Sequence, residues 1–242
     1  MSAPKQEIAV IAGVGSGLGA ALARKFGREG CAVALLARSA DFLRTLAEEL
    51  RRSGVRALPV PTDLTDADAV ARAFAQVRSE LGPASVLINH VGSGVWGGFS
   101  ELTAESFRST WESCALAAFL CCKQTVPDML ARGGGSILFT GATSSIRGRK
   151  GAPAFSSAKF AVRGLADSLA RELWPQGIHV AHIVVDGVID TEAVRVQTPG
   201  VIGEPMLNPA EMAEMYWTLT RQKPEAWTFE LELRPKGEDF FV

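Results

Sequence analysis

The sequence predicts a three-layer α/β fold, a doubly wound parallel sheet with helices on both faces. Three observations carry that reading. Short strand-like runs alternate with longer helically patterned stretches almost to the C-terminus, the order that builds parallel strands through crossover helices. The inner strand runs are continuously apolar, as strands covered on both faces must be. The first of them ends in a glycine cluster that leads straight into a helical pattern. With 242 residues, no internal repeat and no linker-like tract, residues 1–242 read as one domain.

In chain order, Ile8 to Ala12 is the first strand, and Leu18 to Phe26 repeats apolar residues at helical spacing. Ala32 to Ala37 is the second strand, followed by a helix from Asp41 to Arg52 that Gly54 closes. Ala57 to Val60 is the third strand, with a helix from about Asp66 to Leu81 after it. Val86 to Ile88, Ile137 to Phe139 and His179 to Val185 are the next three strands. Two long helical stretches, Thr103 to Arg132 and Pro153 to Trp174, separate them. A last helix, Pro209 to Thr220, precedes a closing strand at Trp227 to Leu233. The segment Gly187 to Asn208 is irregular and rich in Gly, Pro and Thr; beside a site, so long a loop is expected to act as a lid.

The charge balance removes several function classes. A formal net charge of −1 with scattered Lys and Arg gives no electrostatic footprint for nucleic acid or an anionic membrane. The nearest basic run, Arg147 to Lys150, is interrupted by Gly148 and reads as a solvated loop. No run approaches the roughly 20 apolar residues of a membrane span. The polar stretch Met1 to Glu7 has no signal-peptide character, so a cytoplasmic protein is expected. Cys31, Cys114, Cys121 and Cys122 show neither a CxxC pair nor a histidine at ligand spacing. They read as small buried hydrophobes, and no metal site is expected.

Chemistry enters at Ala12-Gly13-Val14-Gly15-Ser16-Gly17-Leu18-Gly19. Glycines at a first strand-to-helix turn let the chain turn tightly and let backbone approach a pyrophosphate, while the helix offers free N–H groups and its positive end. That context makes the pattern a dinucleotide fingerprint and the fold Rossmann-type. The second strand ends Leu36-Ala37-Arg38-Ser39, without a carboxylate to accept a ribose 2′-hydroxyl. Arg38 is instead suited to a 2′-phosphate, so NADP is expected in preference to NAD.

The spacing of Gly13, Gly17 and Gly19 resembles the TGxxxGxG fingerprint of the short-chain dehydrogenase/reductase family, and further motifs follow in order. Asp63-Leu64 is similar to that family's adenine contact, Asn89-His90-Val91-Gly92 to its NNAG motif, and Lys159 to its active-site lysine. Asp186-Gly187 with Thr191 resembles the PGxxxT segment beside the nicotinamide. Departures are Ala12 for Thr, His90 for the second Asn and Asp186 for Pro. The resemblance spans essentially the whole chain. It implies the family's oxidoreductase chemistry, a small-molecule substrate and assembly as a homodimer or homotetramer.

Against the family's Asn-Ser-Tyr-Lys tetrad, three positions differ. The Tyr-x-x-x-Lys motif reads Phe155-Ser156-Ser157-Ala158-Lys159, the serine position falls on Ala142, and the asparagine maps to Cys114. In the family, the tyrosine hydroxyl protonates the alkoxide formed by hydride transfer and the serine binds the substrate oxygen. Phe155 can do neither. Hydroxyls that can substitute are Thr143, Ser144 and Ser145, which directly follow Ala142. His90 has a proton-exchanging ring but sits where the family supports its turn, while His179 and His182 read as packing residues in a strand. Trp96 and Trp217 are candidates for the wall of an apolar pocket. Two readings stay open: an NADP(H)-dependent oxidoreductase with altered proton chemistry acting on a carbonyl, alcohol or imine, and an NADP(H)-bound scaffold or sensor without catalysis.

Overall fold

The computed structural model describes residues 6–197 and 205–237. β1 (Ile8–Ala12) leads through the glycine turn into α1 (Leu18–Arg28). β2 (Ala32–Ala37), α2 (Ala40–Arg52), β3 (Ala57–Pro61) and α3 (Ala67–Glu80) complete the first half. Asp66 caps α3, its carboxylate accepting from the N–H groups of Asp68 and Ala69. The second half runs β4 (Val86–Asn89), α4 (Ala104–Trp111), α5 (Ala117–Arg132), β5 (Gly135–Thr140), α6 (Pro153–Leu173) and β6 (Ile178–Val185). It closes with β7 (Val188–Ile189), α7 (Glu192–Gln197), β8 (Met206–Leu207), α8 (Pro209–Thr220) and β9 (Glu230–Leu233).

Seven strands pair in the order β3-β2-β1-β4-β5-β6-β9, each parallel to its neighbour. The strand order reverses between β1 and β4, the place where open α/β sheets bind ligands beyond their carboxyl ends. Two apolar cores flank the sheet. One packs Phe74, Cys121, Met129 and Phe139 under α3, α5 and α6; the other packs Phe26, Leu43 and Tyr216 under α1, α2 and α8. All four cysteines are buried and free, as the sequence reading expects.

Four expectations need correction. The stretch Thr103 to Arg132 is not one regular helix, because a π-helical turn at Glu112–Leu116 separates α4 from α5. By length and composition Ala104–Arg132 is long and apolar enough to cross a bilayer, which the sequence reading did not expect; in this fold it packs against α3, β4, β5 and α6. The segment Gly187 to Asn208 is not wholly irregular: β7 and β8 pair in parallel around α7, with residues 198–204 outside the described part. The last strand is shorter than expected, Glu230–Leu233, with Trp227 to Phe229 lying between it and a 3-10 turn at Pro224–Ala226.

β6 and β9 are joined by more than their ladder. His182 is fully buried in β6 with Nδ1 2.9 Å from Glu230 Oε2, and Arg163 of α6 grips the same carboxylate through two bonds of 2.6 and 2.9 Å. Arg163 lowers the Glu230 pKa, and burial lowers that of His182. His179 places its ring nitrogens 3.1 and 2.8 Å from the carbonyls of Leu219 and Thr228 and stacks on Trp227 at 4.9 Å. Both histidines are packing residues, as their strand position implies.

The histidines make stability acid-sensitive. Burial lowers the pKa of His179 and His182, and takes His90 from 6.5 to about 4. Each ring therefore binds its proton less readily folded than unfolded, so the unfolded chain takes up more protons as pH falls below about 6.5. Thermal denaturation should show a Tm that is level from pH 8 to 7 and falls steadily towards pH 4.5, and the fall should be shallower in His90→Asn. A Tm that rises on acidification would contradict this account.

Candidate active site

A cavity of about 1100 Å³ opens at the carboxyl ends of the strands, with walls from the β1–α1 turn, the ends of β2 and β3, the segment after β4, the β5–α6 loop and the segment after β6. Its floor at one end is the glycine turn. Gly13 has φ +96°, and a Cβ there would lie 2.6 Å from the backbone of Val91, so the turn needs glycine both to form and to approach β4. A Cβ on Gly17 would lie 2.5 Å from Thr191 Cγ2, and one on Gly19 would lie 2.8 Å from Val14 Cα. Gly15 faces open space. α1 starts at Leu18 with no side-chain cap and no acidic residue in its first turn. Its first N–H groups and positive end are thus directed at the cavity without a competing carboxylate, a donor set that fits a phosphate anion.

Arg38 and Ser39 line the cavity at the end of β2, both exposed, and Arg38 forms no ion pair among the described residues. Asp63 and Leu64 lie beside them. The Asp63 carboxyl is held below its usual range, first by the backbone and hydroxyl of Thr65 at 3.0 and 2.7 Å and more weakly by the charge of Arg38.

At the other end, α6 begins with proline in its first turn and presents Phe155 and Lys159 one turn apart. Lys159 is buried, and its Nζ donates to the Thr140 carbonyl at 2.9 Å; burial lowers its pKa. Nζ lies 5.5 Å from the centre of the Phe155 ring. The segment after β4 is pressed onto that ring: a Cβ on Gly94 would come within 2.4 Å of Phe155 Cδ2, and Trp96 lies 5.4 Å away, centre to centre. Gly92 is less tightly constrained, since a Cβ there would lie 3.1 Å from Cys114 Sγ and 3.4 Å from Lys159 Nζ.

The π-helical turn brings Ser113 and Cys114 to this segment. Ser113 Oγ is 3.0 Å from the Ser93 carbonyl and Cys114 Sγ is 3.7 Å from it. Turns of this kind recur at functional sites, where the extra residue redirects a side chain. The β5–α6 loop is held differently. The Ala142 N–H donates to Ser145 Oγ at 3.0 Å, and Thr143 donates its hydroxyl to Asp186. Asp186 is buried and is also bound by Arg147, at 3.0 Å, and by Arg234. Thr143 is therefore committed as a donor and Ser145 lies off the cavity wall, which leaves Ser144, itself 2% exposed, as the hydroxyl of the three at the wall without a side-chain partner among the described residues.

His90 also faces the cavity. Its Nδ1 is 3.2 Å from Thr140 Oγ1, which in turn is 2.8 Å from the hydroxyl of Tyr216. Burial, then the charge of Lys159, lowers its pKa to about 4, so the ring is neutral near pH 7. Tyr216, the chain's one tyrosine, is fully buried behind Thr140 and does not reach the cavity.

Of the residues assigned from sequence, Gly13, Gly15, Gly17, Leu18, Gly19, Arg38, Asp63, Leu64, Gly92, Ala142, Ser144, Phe155, Lys159, Gly187 and Thr191 are brought together in the walls. Ser16, Asn89 and Cys114 are not. Ser16 is exposed beside the turn. Asn89 ends β4 beneath the floor, donating to Cys122 Sγ at 3.4 Å with its Oδ1 unpaired among the described residues. Cys114 lies fully buried behind Gly92. Trp217 is not a pocket wall, because it packs edge-on against Phe26 at 5.3 Å on the other face. Arg147 is not only a solvated loop residue, because it is also bound to Asp186. Sequence reasoning missed Arg149, Thr140 and the Ser93–Ser113 contact, which depend on loops meeting across long separations.

Comparison with known proteins agrees with this fold. A glycine betaine reductase of Emericella nidulans is 32% identical over 243 residues, covering 96% of this chain but 19% of that protein's length. The chain thus spans about a fifth of that relative. A short-chain dehydrogenase from Rhodopseudomonas palustris superposes with a TM-score of 0.83 at 36% identity, covering 96% of this chain and all of the other. An L-sorbose reductase from Gluconobacter frateurii, solved with NADPH and L-sorbose, gives 0.88 at 27% identity and 96% of each chain. Residues 7–200 match the family model described as short chain dehydrogenase, and the chain belongs to that family.

Proposed function

We propose that the chain is an NADP(H)-dependent oxidoreductase acting on a small carbonyl, alcohol or imine, with proton chemistry that does not rely on a tyrosine. One observation carries the reading: a single cavity runs from the glycine turn and Arg38 to Lys159 and Phe155. The NADPH bound by the related L-sorbose reductase supports the choice of cofactor. Gly13, Gly15 and Gly17, with the first turn of α1, would hold the pyrophosphate; Arg38 and Ser39 would take a 2′-phosphate; Asp63 and Leu64 would flank the adenine. Gly92, Lys159, Gly187 and Thr191 would border the nicotinamide end. When bound, the cofactor supplies or accepts a hydride.

The protein's own residues govern the substrate's orientation and its protons. Lys159 orients through its bond to Thr140 and adds positive charge beside the reacting centre. Phe155 has no proton to give and contributes an apolar wall, and Ala142 offers no hydroxyl to a substrate oxygen. Ser144 is the hydroxyl best placed to contact it, while neutral His90 can exchange a proton only through Thr140 or the cavity. Substrates that need no donor at the acceptor atom, such as an already protonated imine, suit such a site. The Phe155 ring, covered by Gly94 and Trp96, favours a second reading in which the chain binds NADP(H) without turning over. NADPH consumption with ketones, quinones and cyclic imines separates the two.

Phe107, Trp111, Phe119 and Phe160, on α4, α5 and α6, are each 39–44% exposed. We read them as the contact of a homodimer or homotetramer, because rings of this size cluster where surface is covered. Light scattering at micromolar concentration should find a multiple of 25.7 kDa, and Trp111→Glu with Phe160→Glu should shift it towards monomer.

Arg38→Ala should weaken NADPH binding about tenfold, ~1.4 kcal/mol, with NADH affinity nearly unchanged. An equal loss for both in fluorescence titration would remove Arg38 from the 2′-phosphate. Simple ketones should be reduced poorly by the wild type. Phe155→Tyr with Ala142→Ser should raise their kcat/KM by about 10²-fold or more, exceeding either single change, since a positioned acid contributes about 10²–10⁴ and groups acting together are not additive. Rapid ketone turnover by the wild type would refute the account.

A further inference from the structure

The cavity's substrate end joins one aromatic platform to one guanidinium. Trp96 and Phe155 lie 5.4 Å apart, tilted by 36°, and the Arg149 guanidinium stands 5.5 Å from the centre of the Trp96 ring. All three line the cavity. The geometry is anchored from below. The Arg149 N–H donates to Ser156 Oγ at 3.1 Å, and Ser156 is buried on α6. The Gly97 N–H donates to the Gly151 carbonyl at 2.9 Å, so the two loops that carry Trp96 and Arg149 are tied to each other.

The charges at this end are unequal in availability. Lys159 is committed to the Thr140 carbonyl and Arg147 to Asp186, whereas Arg149 forms no ion pair among the described residues. Glu112 lines the same cavity from the π-helical turn and would repel a second negative charge. One guanidinium without an ion pair among the described residues suits a single negative charge, and the planar fork of arginine matches a carboxylate. Val95 and Trp96 remain 46% and 57% exposed beside it, an apolar surface left open among the described residues.

We infer that the substrate is an apolar, aromatic compound bearing one carboxylate, with its body on the Trp96–Phe155 platform and its acid on Arg149. This deepens the oxidoreductase reading and rests on it. Arg149 is then a specificity-determining residue with no part in cofactor binding.

The test is calorimetric titration of the NADP⁺-loaded protein with 3-benzoylpropionate and with its methyl ester, next to NADPH titration of the same preparations. The wild type should bind the acid about tenfold more tightly than the ester, the scale of one partly exposed charge-assisted contact. Arg149→Gln should abolish that preference while leaving ester and NADPH affinities unchanged, and Trp96→Ala should weaken acid and ester alike. Equal affinity for acid and ester, binding of neither, a preference that survives Arg149→Gln, or a loss of NADPH affinity in that variant would each overturn the inference. Failure of the wild type to bind NADPH would instead overturn the oxidoreductase reading itself.

Discussion

A buried ammonium must find an acceptor or lose its charge, and Lys159 finds one in the Thr140 carbonyl at 2.9 Å. That bond joins the first turns of α6 to the end of β5, and the site is arranged around it. It fixes the helix phase, so Phe155, one turn earlier, faces the segment after β4. It leaves little room for a side chain at Gly92, whose Cβ would lie 3.1 Å from Cys114 Sγ and 3.4 Å from Lys159 Nζ. It also lies beside the His90–Thr140–Tyr216 chain, which runs back from the cavity into the core. Burial and the proximity of Lys159 keep the His90 ring neutral.

A second buried charge organises the opposite wall. Asp186 follows β6 directly and binds Thr143, Arg147 and Arg234. A carboxylate buried in that way is tolerable only when paired, and the pairing ties the β5–α6 loop to the residues after β9. The loop containing Ala142 and Ser144 is thereby held from behind. Against the family motif Asp186 is simply a departure from proline, yet the residue has its own structural logic.

Much of this architecture was legible in the sequence because it depends on local pattern. The glycine turn, the apolar strand runs and the spacing of Phe155 and Lys159 are set by near neighbours, and each is found where expected. The π-helical turn was not, since Glu112–Leu116 has the composition of an ordinary helix and only its packing against Ser93 reveals the extra residue. Arg147 and Arg149 look like one solvated basic run, but Asp186, 39 residues on from Arg147, and Trp96, on a different loop, give each a separate partner. Asn89 carries a motif's identity and nevertheless lies under the floor, because successive side chains of β4 alternate between the faces of the sheet and its own is directed to Cys122.

The free edge of the sheet at β3 carries one further consequence. Thr62 donates its N–H inward to Ala37, so alternate residues of the strand turn their amide positions outward, and two of these are Pro59 and Pro61. Proline has no N–H. A foreign strand approaching this border finds carbonyls but lacks donors at two successive outward positions, and cannot extend the ladder there. The sheet is thus guarded against edge-to-edge aggregation by its own covalent chemistry, on the side remote from Phe155 and Arg149.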